Sequence, residues 1–100
     1  MRVYVSSPGP AFGPQVLAYA EYRLFAVLAR HAGVRSAQVI LQDAPNGGVQ
    51  CSVTINFDSA ASARARVRGK HVAGTIDRAA ERVAELMRRR CQPEILAASH

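Results

Sequence analysis

The residues of this sequence whose type and spacing could do chemistry are basic. Arg64, Arg66 and Arg68 lie two residues apart, and Lys70 extends the row. On a β-strand, residues two apart project from one face at about 7 Å from each other. That interval is close to the separation of successive phosphates along a nucleic-acid backbone. The spacing therefore predicts a row of cationic side chains that binds phosphates.

A second group of basic residues lies in the last predicted helix. Arg78, Arg82 and Arg89 share one stripe of this helix, with Glu85 between them. Glu85 and Arg89 also have the spacing of an ion pair on a helix surface, which is worth only a few tenths of a kcal/mol. The helix alone fits a solvated, ion-paired surface as well as a phosphate-binding one. Together with the strand row and the run 88–90, it favours phosphate binding.

Length and charge limit the class of protein. The chain has 100 residues, with 13 Lys+Arg against 7 Asp+Glu, a formal net charge of +6 and a pI near 10.4. This length allows one core and two layers of secondary structure, which excludes a large multidomain enzyme. The positive charge favours a polyanionic partner, nucleic acid first and an acidic membrane surface second. A basic protein whose charge serves only solubility has the same composition.

The sequence shows no catalytic or metal-binding constellation. Cys51 and Cys91 have neither metal-ligand spacing nor the number typical of a disulfide framework, so we interpret them as free thiols. His31 falls on the apolar side of the first predicted helix and His71 at the start of the second. An enzyme would need His31, His71 and Cys51 to converge from different elements. We expect no enzymatic activity, no cofactor, no metal and no small-molecule substrate.

Targeting signals also bear on the expected location. No apolar run approaches the roughly 18–20 residues of a membrane span, and the first residues lack an apolar stretch followed by a cleavage site. We therefore expect a cytoplasmic protein with no membrane partner.

The elements that position these residues follow from the hydrophobic periodicity. Alternation predicts strands and a 3.6-residue period predicts helices, in the order β-α-β-β-β-α. The predicted bounds are 2–6, 14–32, 35–42, 49–57, 62–69 and 72–90. The Pro-Asn-Gly-Gly turn at 45–48 predicts a hairpin, whose strands are antiparallel. A helical connection makes the first two strands parallel.

We predict an α+β fold, a two-layer sandwich in which both helices cover one face of a mixed four-stranded sheet. A single domain is expected over residues 1–92, followed by a short C-terminal tail over 93–100. Cys51 is expected to face the core. The opposite, polar face of the sheet is expected to carry Tyr4, Gln38, Gln50, Ser52, Thr54 and the three strand arginines.

The first helix carries a second apolar stripe. Ala18, Tyr22, Phe25 and Ala29 follow one another at spacings of four, three and four residues, on the side that should face solvent in a monomer. Such a stripe indicates either a wider core or a surface that meets a partner, including a second copy of the chain.

The order of the elements, together with residues 68–86 (RGKHVAGTIDRAAERVAEL), resembles the family of ribosome hibernation-promoting factors and ribosome-associated inhibitors, also called sigma-54 modulation proteins. The resemblance covers residues 1 to about 92. Tyr19, Arg23, Val39 and Leu41 also match an aromatic, a base and two sheet residues of that family. His71, Ala73 and Glu85 depart from it, since the family usually has Asp, Tyr and a base at these positions.

The resemblance implies a double-stranded-RNA-binding-like fold and a non-enzymatic protein that binds the small ribosomal subunit where mRNA and tRNA pass, which inhibits translation or hibernates ribosomes under stress. By motif position, Arg23, Arg82 and Arg89 match basic helix positions of the family. The expected rRNA-binding set is Arg23, Arg64, Arg66, Arg68, Lys70, Arg78, Arg82 and Arg89. The alternative is a protein-interaction module that forms a homodimer through Ala18, Tyr22, Phe25 and Ala29.

Overall fold

The chain folds into a four-stranded sheet covered by two helices. The computed structural model describes residues 1–9 and 12–98, with side chains as far as residue 90. In chain order the elements are β1 (Arg2–Ser6), α1 (Pro14–Leu28), β2 (Val34–Asp43), β3 (Val49–Phe57), β4 (Ser62–Gly69) and α2 (Val72–Ala98). The strand order is β1-β2-β3-β4, with β1 and β2 parallel and the other pairs antiparallel. The predicted α+β architecture is confirmed.

The core lies between the sheet and the helices. The inward side chains of β2 and β3, such as Val39 and Ile55, are fully buried. Cys51 faces the core as predicted and pairs in register with Val67 of β4. Its burial raises the pKa of the thiol to about 11, so Cys51 stays protonated at neutral pH.

Helix α1 is shorter than predicted. It buries Ala20, Leu24 and Leu28 against the sheet and ends at Leu28, not at Ala32. The backbone N–H of His31 donates to the Leu28 carbonyl, which closes a turn, and Gly33 follows with a positive φ of 87°. The helix ends early because the chain must reverse before Val34, which is buried opposite Phe57.

Helix α2 is longer than predicted and ends at Ala98 rather than Arg90. At its start, both the backbone N–H and the hydroxyl of Thr75 donate to the carbonyl of His71. Ala97 and other good helix formers follow Pro93, which favours continued helical backbone. The domain boundary at residue 92 and the tail stay predictions, and residues 99 and 100 of that tail lie outside the described residues.

Across residues 1–9 and 12–98, no helix combines the length and the apolar character that a bilayer crossing requires. Over the same residues, no three His, Cys, Asp or Glu side chains lie close enough together to hold a metal ion.

The tight turn between β2 and β3 provides a test of the fold. Gly48 has a φ of +82°, and a Cβ atom placed there would clash with the backbone carbonyl oxygen of Gly69. Gly48→Ala should therefore combine backbone strain with a backbone clash and lower the free energy of unfolding by about 2–4 kcal/mol. Chemical denaturation followed by circular dichroism measures this loss.

The matched control is Gly47→Ala. Gly47 has a φ of +91°, but a Cβ atom there would meet nothing within 4 Å. Gly47→Ala should therefore lower the free energy of unfolding only by the strain of the positive φ, about 1–2 kcal/mol. Equal losses in the two variants would contradict close packing of this turn on Gly69.

Candidate nucleic-acid interface

The sheet face that points away from both helices is polar and basic. We call it the open sheet face. Its side chains are those of Arg2, Tyr4, Ser6, Ser36, Gln38, Ile40, Gln42, Gln50, Ser52, Thr54, Asn56, Ser62, Arg64, Arg66 and Arg68. These described residues include four arginines and no carboxylate. The electrostatic potential of this face therefore favours anions.

The arginine row of β4 lies on this face as predicted. Arg64, Arg66 and Arg68 are exposed, whereas Ala65 and Val67 between them are buried. This alternation arises because β4 pairs with β3 along its whole length and buries only its inner side against α2. The strand thus holds three guanidinium groups at the solvent side of one edge of the sheet.

Arg68 is anchored within the face. Its Nε donates a hydrogen bond of 2.9 Å to Oε1 of Gln50, which is only 6% exposed. Gln50 had been expected on the polar face, and it does lie there, but beneath Arg68. Within the described side chains, Arg64 and Arg66 make no hydrogen bond or ion pair to the protein. Their donors are therefore available to a ligand.

The arginines of β4 and α2 converge at the sheet edge. Because β4 is the last strand of the sheet, a groove of about 550 Å³ remains between it and α2. We call it the edge groove. It is lined by Arg64, Ala65, Arg66, Arg82, Glu85, Leu86 and Arg89. The structure thus brings four of the predicted rRNA-binding residues together.

One acidic residue, Glu85, reduces the positive charge of the edge groove. Oε1 of Glu85 lies 2.7 Å from Nη2 of Arg89, so the ion pair expected from their spacing forms. Arg89 is exposed and Glu85 is half-buried, and a pair so close to solvent contributes little to stability. Glu85 holds Arg89 at the groove, and a phosphate could draw the guanidinium away at small cost.

Lys70 and Arg78 lie beyond the edge groove, where β4 ends. Nη1 of Arg78 donates to the backbone carbonyl of Arg68 at 3.1 Å. Lys70 lines a separate open cleft with the turn between β2 and β3. The basic surface therefore continues from the edge groove to the start of α2.

Arg23 lies apart from the other predicted residues. Its Nε is 3.1 Å from Oδ1 of Asp77 on α2, and Tyr19 donates its hydroxyl proton to the same oxygen. These contacts clamp α1 to α2 and compensate the charge of Arg23. The spacing of Tyr19 and Arg23 places both on one helix face, but nothing in the sequence identifies Asp77 as their shared acceptor.

Two further arginines make contacts within the protein. The guanidinium carbon of Arg90 lies 4.0 Å from the ring centre of Phe57, a cation–π contact. Nε of Arg35 is 3.9 Å from Oδ1 of Asp58, and both side chains are exposed. Part of the run 88–90 therefore has a structural role.

The second apolar stripe of α1 lies on the protein surface. Tyr22 is 70% exposed and Phe25 is 48% exposed, and Ala18 and Ala29 beside them are also exposed. The interpretation as a wider core is therefore wrong, because the sheet lies on the opposite side of α1. The stripe is an accessible aromatic surface.

Comparison with solved structures shows which proteins share this fold. A ribosomal subunit interface protein from Coxiella burnetii superposes with a TM-score of 0.77 at 10% identity, over 89% of this chain and 96% of that one. The Thermus thermophilus Protein Y N-terminal domain superposes with a TM-score of 0.69 at 17% identity, over 88% and 93% of the two chains. Both agree with the resemblance seen in the sequence and confirm the fold it implies. No protein-family model and no curated protein matches the sequence.

The Tyr19–Asp77 contact predicts a pH dependence. The hydrogen bond to Asp77 is the main cause that raises the pKa of Tyr19 above its ordinary value of 10.0. The hydrogen bond should stabilise the folded state fully below pH 10. This stabilisation should be lost as the pH rises through the higher pKa that Tyr19 has in the folded state. Melting temperatures between pH 8 and 11.5 measure this loss.

The control for that titration is Tyr19→Phe, which removes the hydroxyl but keeps the ring. Its melting temperature should fall less steeply above pH 10 than that of the parent chain. Superimposable pH profiles for the two proteins would show that the Tyr19–Asp77 bond does not stabilise the fold.

Proposed function

We propose that this chain is a non-enzymatic, cytoplasmic protein that binds the rRNA of the small ribosomal subunit and so inhibits translation or holds ribosomes in hibernation under stress. The observation that carries this proposal is the convergence of Arg64, Arg66, Arg82 and Arg89 at the edge groove, beside a sheet face without carboxylates. The similarity of fold to a ribosomal subunit interface protein supports the same partner.

The chemistry of the edge groove suits a phosphate backbone. Guanidinium groups donate paired hydrogen bonds that match phosphate oxygens. Arg64 and Arg66 approach from β4, and Arg82 approaches from α2, so a backbone in the groove meets donors on two sides. Folded RNA exposes phosphates and 2′-hydroxyls more readily than paired base edges. Binding through this groove therefore depends on charge and shape.

The first test replaces the arginine row. Arg64, Arg66 and Arg68 changed together to Ser should reduce co-sedimentation with purified small subunits, because three phosphate ligands are lost. Binding should fall linearly with salt on a log–log scale, and the slope should shrink by about 2–3 in the triple variant. A series of sedimentation measurements from low to high salt yields both quantities.

A charge-matched control separates local contacts from net charge. Arg30, Arg35 and Arg88 are exposed, and none of them lines the edge groove. Arg30 and Arg88 line a separate cavity between α1 and α2, and Arg35 is paired with Asp58. Changing these three to Ser removes the same charge and should weaken binding much less. Equal losses in both triple variants, or a complex insensitive to salt, would contradict the proposed site.

A second candidate function is self-association through the outer stripe of α1, favoured by the exposure of Tyr22 and Phe25. In an antiparallel pair of α1 helices related by a two-fold axis, Ala18 would face Ala29, and Tyr22 would face Phe25, of the other copy. In this arrangement the two alanines contact each other across the interface, and the two aromatic rings contact each other. Four residues a side bury a few hundred Å², well below the roughly 800 Å² per partner of a stable complex. Such a dimer would be weak and concentration-dependent.

The double variant Tyr22→Glu, Phe25→Glu tests this second function, because it sets like charges opposite one another across the two-fold axis. It should abolish any dimer observed by sedimentation velocity at high concentration and leave the circular dichroism spectrum unchanged, because both side chains are exposed. The control variant Asn46→Glu, Ser59→Glu makes the same charge changes at exposed turn positions and should dimerise normally. A parent chain that stays monomeric at millimolar concentration would refute self-association.

A further inference from the structure

We propose that the open sheet face binds unpaired RNA bases, with the ring of Tyr4 as a stacking platform. The preferred ligand is then a single-stranded segment rather than a duplex. This inference rests on the RNA binding proposed above and adds the kind of RNA that the chain recognises.

The sheet register places the groups for such binding in rows. Tyr4 pairs with Gln38, Gln38 with Thr54, and Thr54 with Arg64. Neighbouring strands are about 4.8 Å apart, so Tyr4 lies about 14 Å across the sheet from Arg64. That span accommodates an extended nucleotide or two. A phosphate on the arginine row and a base on Tyr4 can therefore belong to one strand.

The next row also ends at an arginine. Ser6 pairs with Ile40, Ile40 with Ser52, and Ser52 with Arg66. Side chains of this row and its neighbours line an open depression of about 510 Å³ on the face. Both rows thus carry one large aromatic or apolar side chain on β1 or β2 and end at a guanidinium group on β4, with a hydroxyl on β3 between them.

Tyr4 and Ile40 are exposed large hydrophobic side chains on this face. Tyr4 is 52% exposed and Ile40 is 41% exposed, although both lie within a polar face. A base can stack on an exposed ring whatever its identity, because every base has a π face. The amides and hydroxyls of Gln38 and Thr54 lie between the ring and the arginines, where they can donate to and accept from base edges.

A duplex cannot use this arrangement. In A-form RNA the bases are stacked on one another and paired, so a ring on a flat sheet has no base to stack on. A duplex would contact only the arginines. The charge of the face also disfavours a basic protein partner, since the described residues of the face include no carboxylate. The aromatic ring therefore distinguishes single strands from duplexes.

Fluorescence anisotropy with one labelled 12-nucleotide RNA tests the inference. The strand is a mixed sequence without self-complementarity, measured alone and annealed to its complement at the same salt concentration. The parent chain should bind the single strand more tightly than the duplex. Tyr4→Ser should weaken single-strand binding by about 5-fold to 100-fold and leave duplex binding unchanged. Tyr4→Phe should retain most of the single-strand affinity.

Tyr22→Ser is the matched control, because Tyr22 is an exposed tyrosine on α1, remote from the sheet face. It should bind both RNAs like the parent. The inference is overturned if the duplex binds as tightly as the single strand, or if Tyr4→Ser weakens both RNAs equally. It is also overturned if Tyr4→Phe loses as much single-strand affinity as Tyr4→Ser.

The same proteins separate this inference from the proposed function. A chain that co-sediments with small subunits but shows no preference for single strands overturns the base-stacking role alone. A chain that prefers single strands through Tyr4 but does not co-sediment with small subunits supports the base-stacking role and overturns the ribosomal function alone.

Discussion

The packing of both helices on one side of the sheet is the constraint on which the rest of the structure depends. It makes one face of every strand apolar and leaves the other to solvent. In the pairing of β3 with β4, Val53 lies opposite Ala65 and Ser52 opposite Arg66. A slip of one residue would turn the arginines into the core, where unpaired charges are very costly. The register that buries the core therefore also holds the basic surface in place.

The net charge of +6 is distributed unevenly over the molecule. Arg23 is compensated by Asp77, and Arg90 packs on Phe57, so these arginines mainly hold elements together. Arg64 and Arg66 have no partner among the described side chains and lie at an edge that none of the described strands covers. A phosphate ligand could therefore bind there without first breaking a protein contact. Glu85, a departure from the family pattern, pairs with Arg89 at the same groove and moderates its charge.

The bounds of β3 and β4 were predictable because strict alternation carries both the strand period and the burial pattern. The same alternation placed the arginine row and Cys51 on their correct sides. The end of α1 was not predictable from periodicity, because it depends on where Val34 must enter the sheet. The link between Arg23 and Asp77 joins residues far apart in sequence. The edge groove likewise depends on strand order, which places β4 beside α2 at the sheet edge.

The proposed ribosome contact lies on β4 and the facing side of α2. Hydrogen–deuterium exchange of the chain, free and bound to small ribosomal subunits, tests it most directly. Since β3 is the one strand that β4 pairs with among the described residues, the outer backbone amides of β4 should exchange rapidly in the free protein. Slower exchange on binding over 62–70 and 78–89, with 14–28 unchanged, is the result this account predicts. Protection confined to α1, or no protection in a complex that forms, would contradict it.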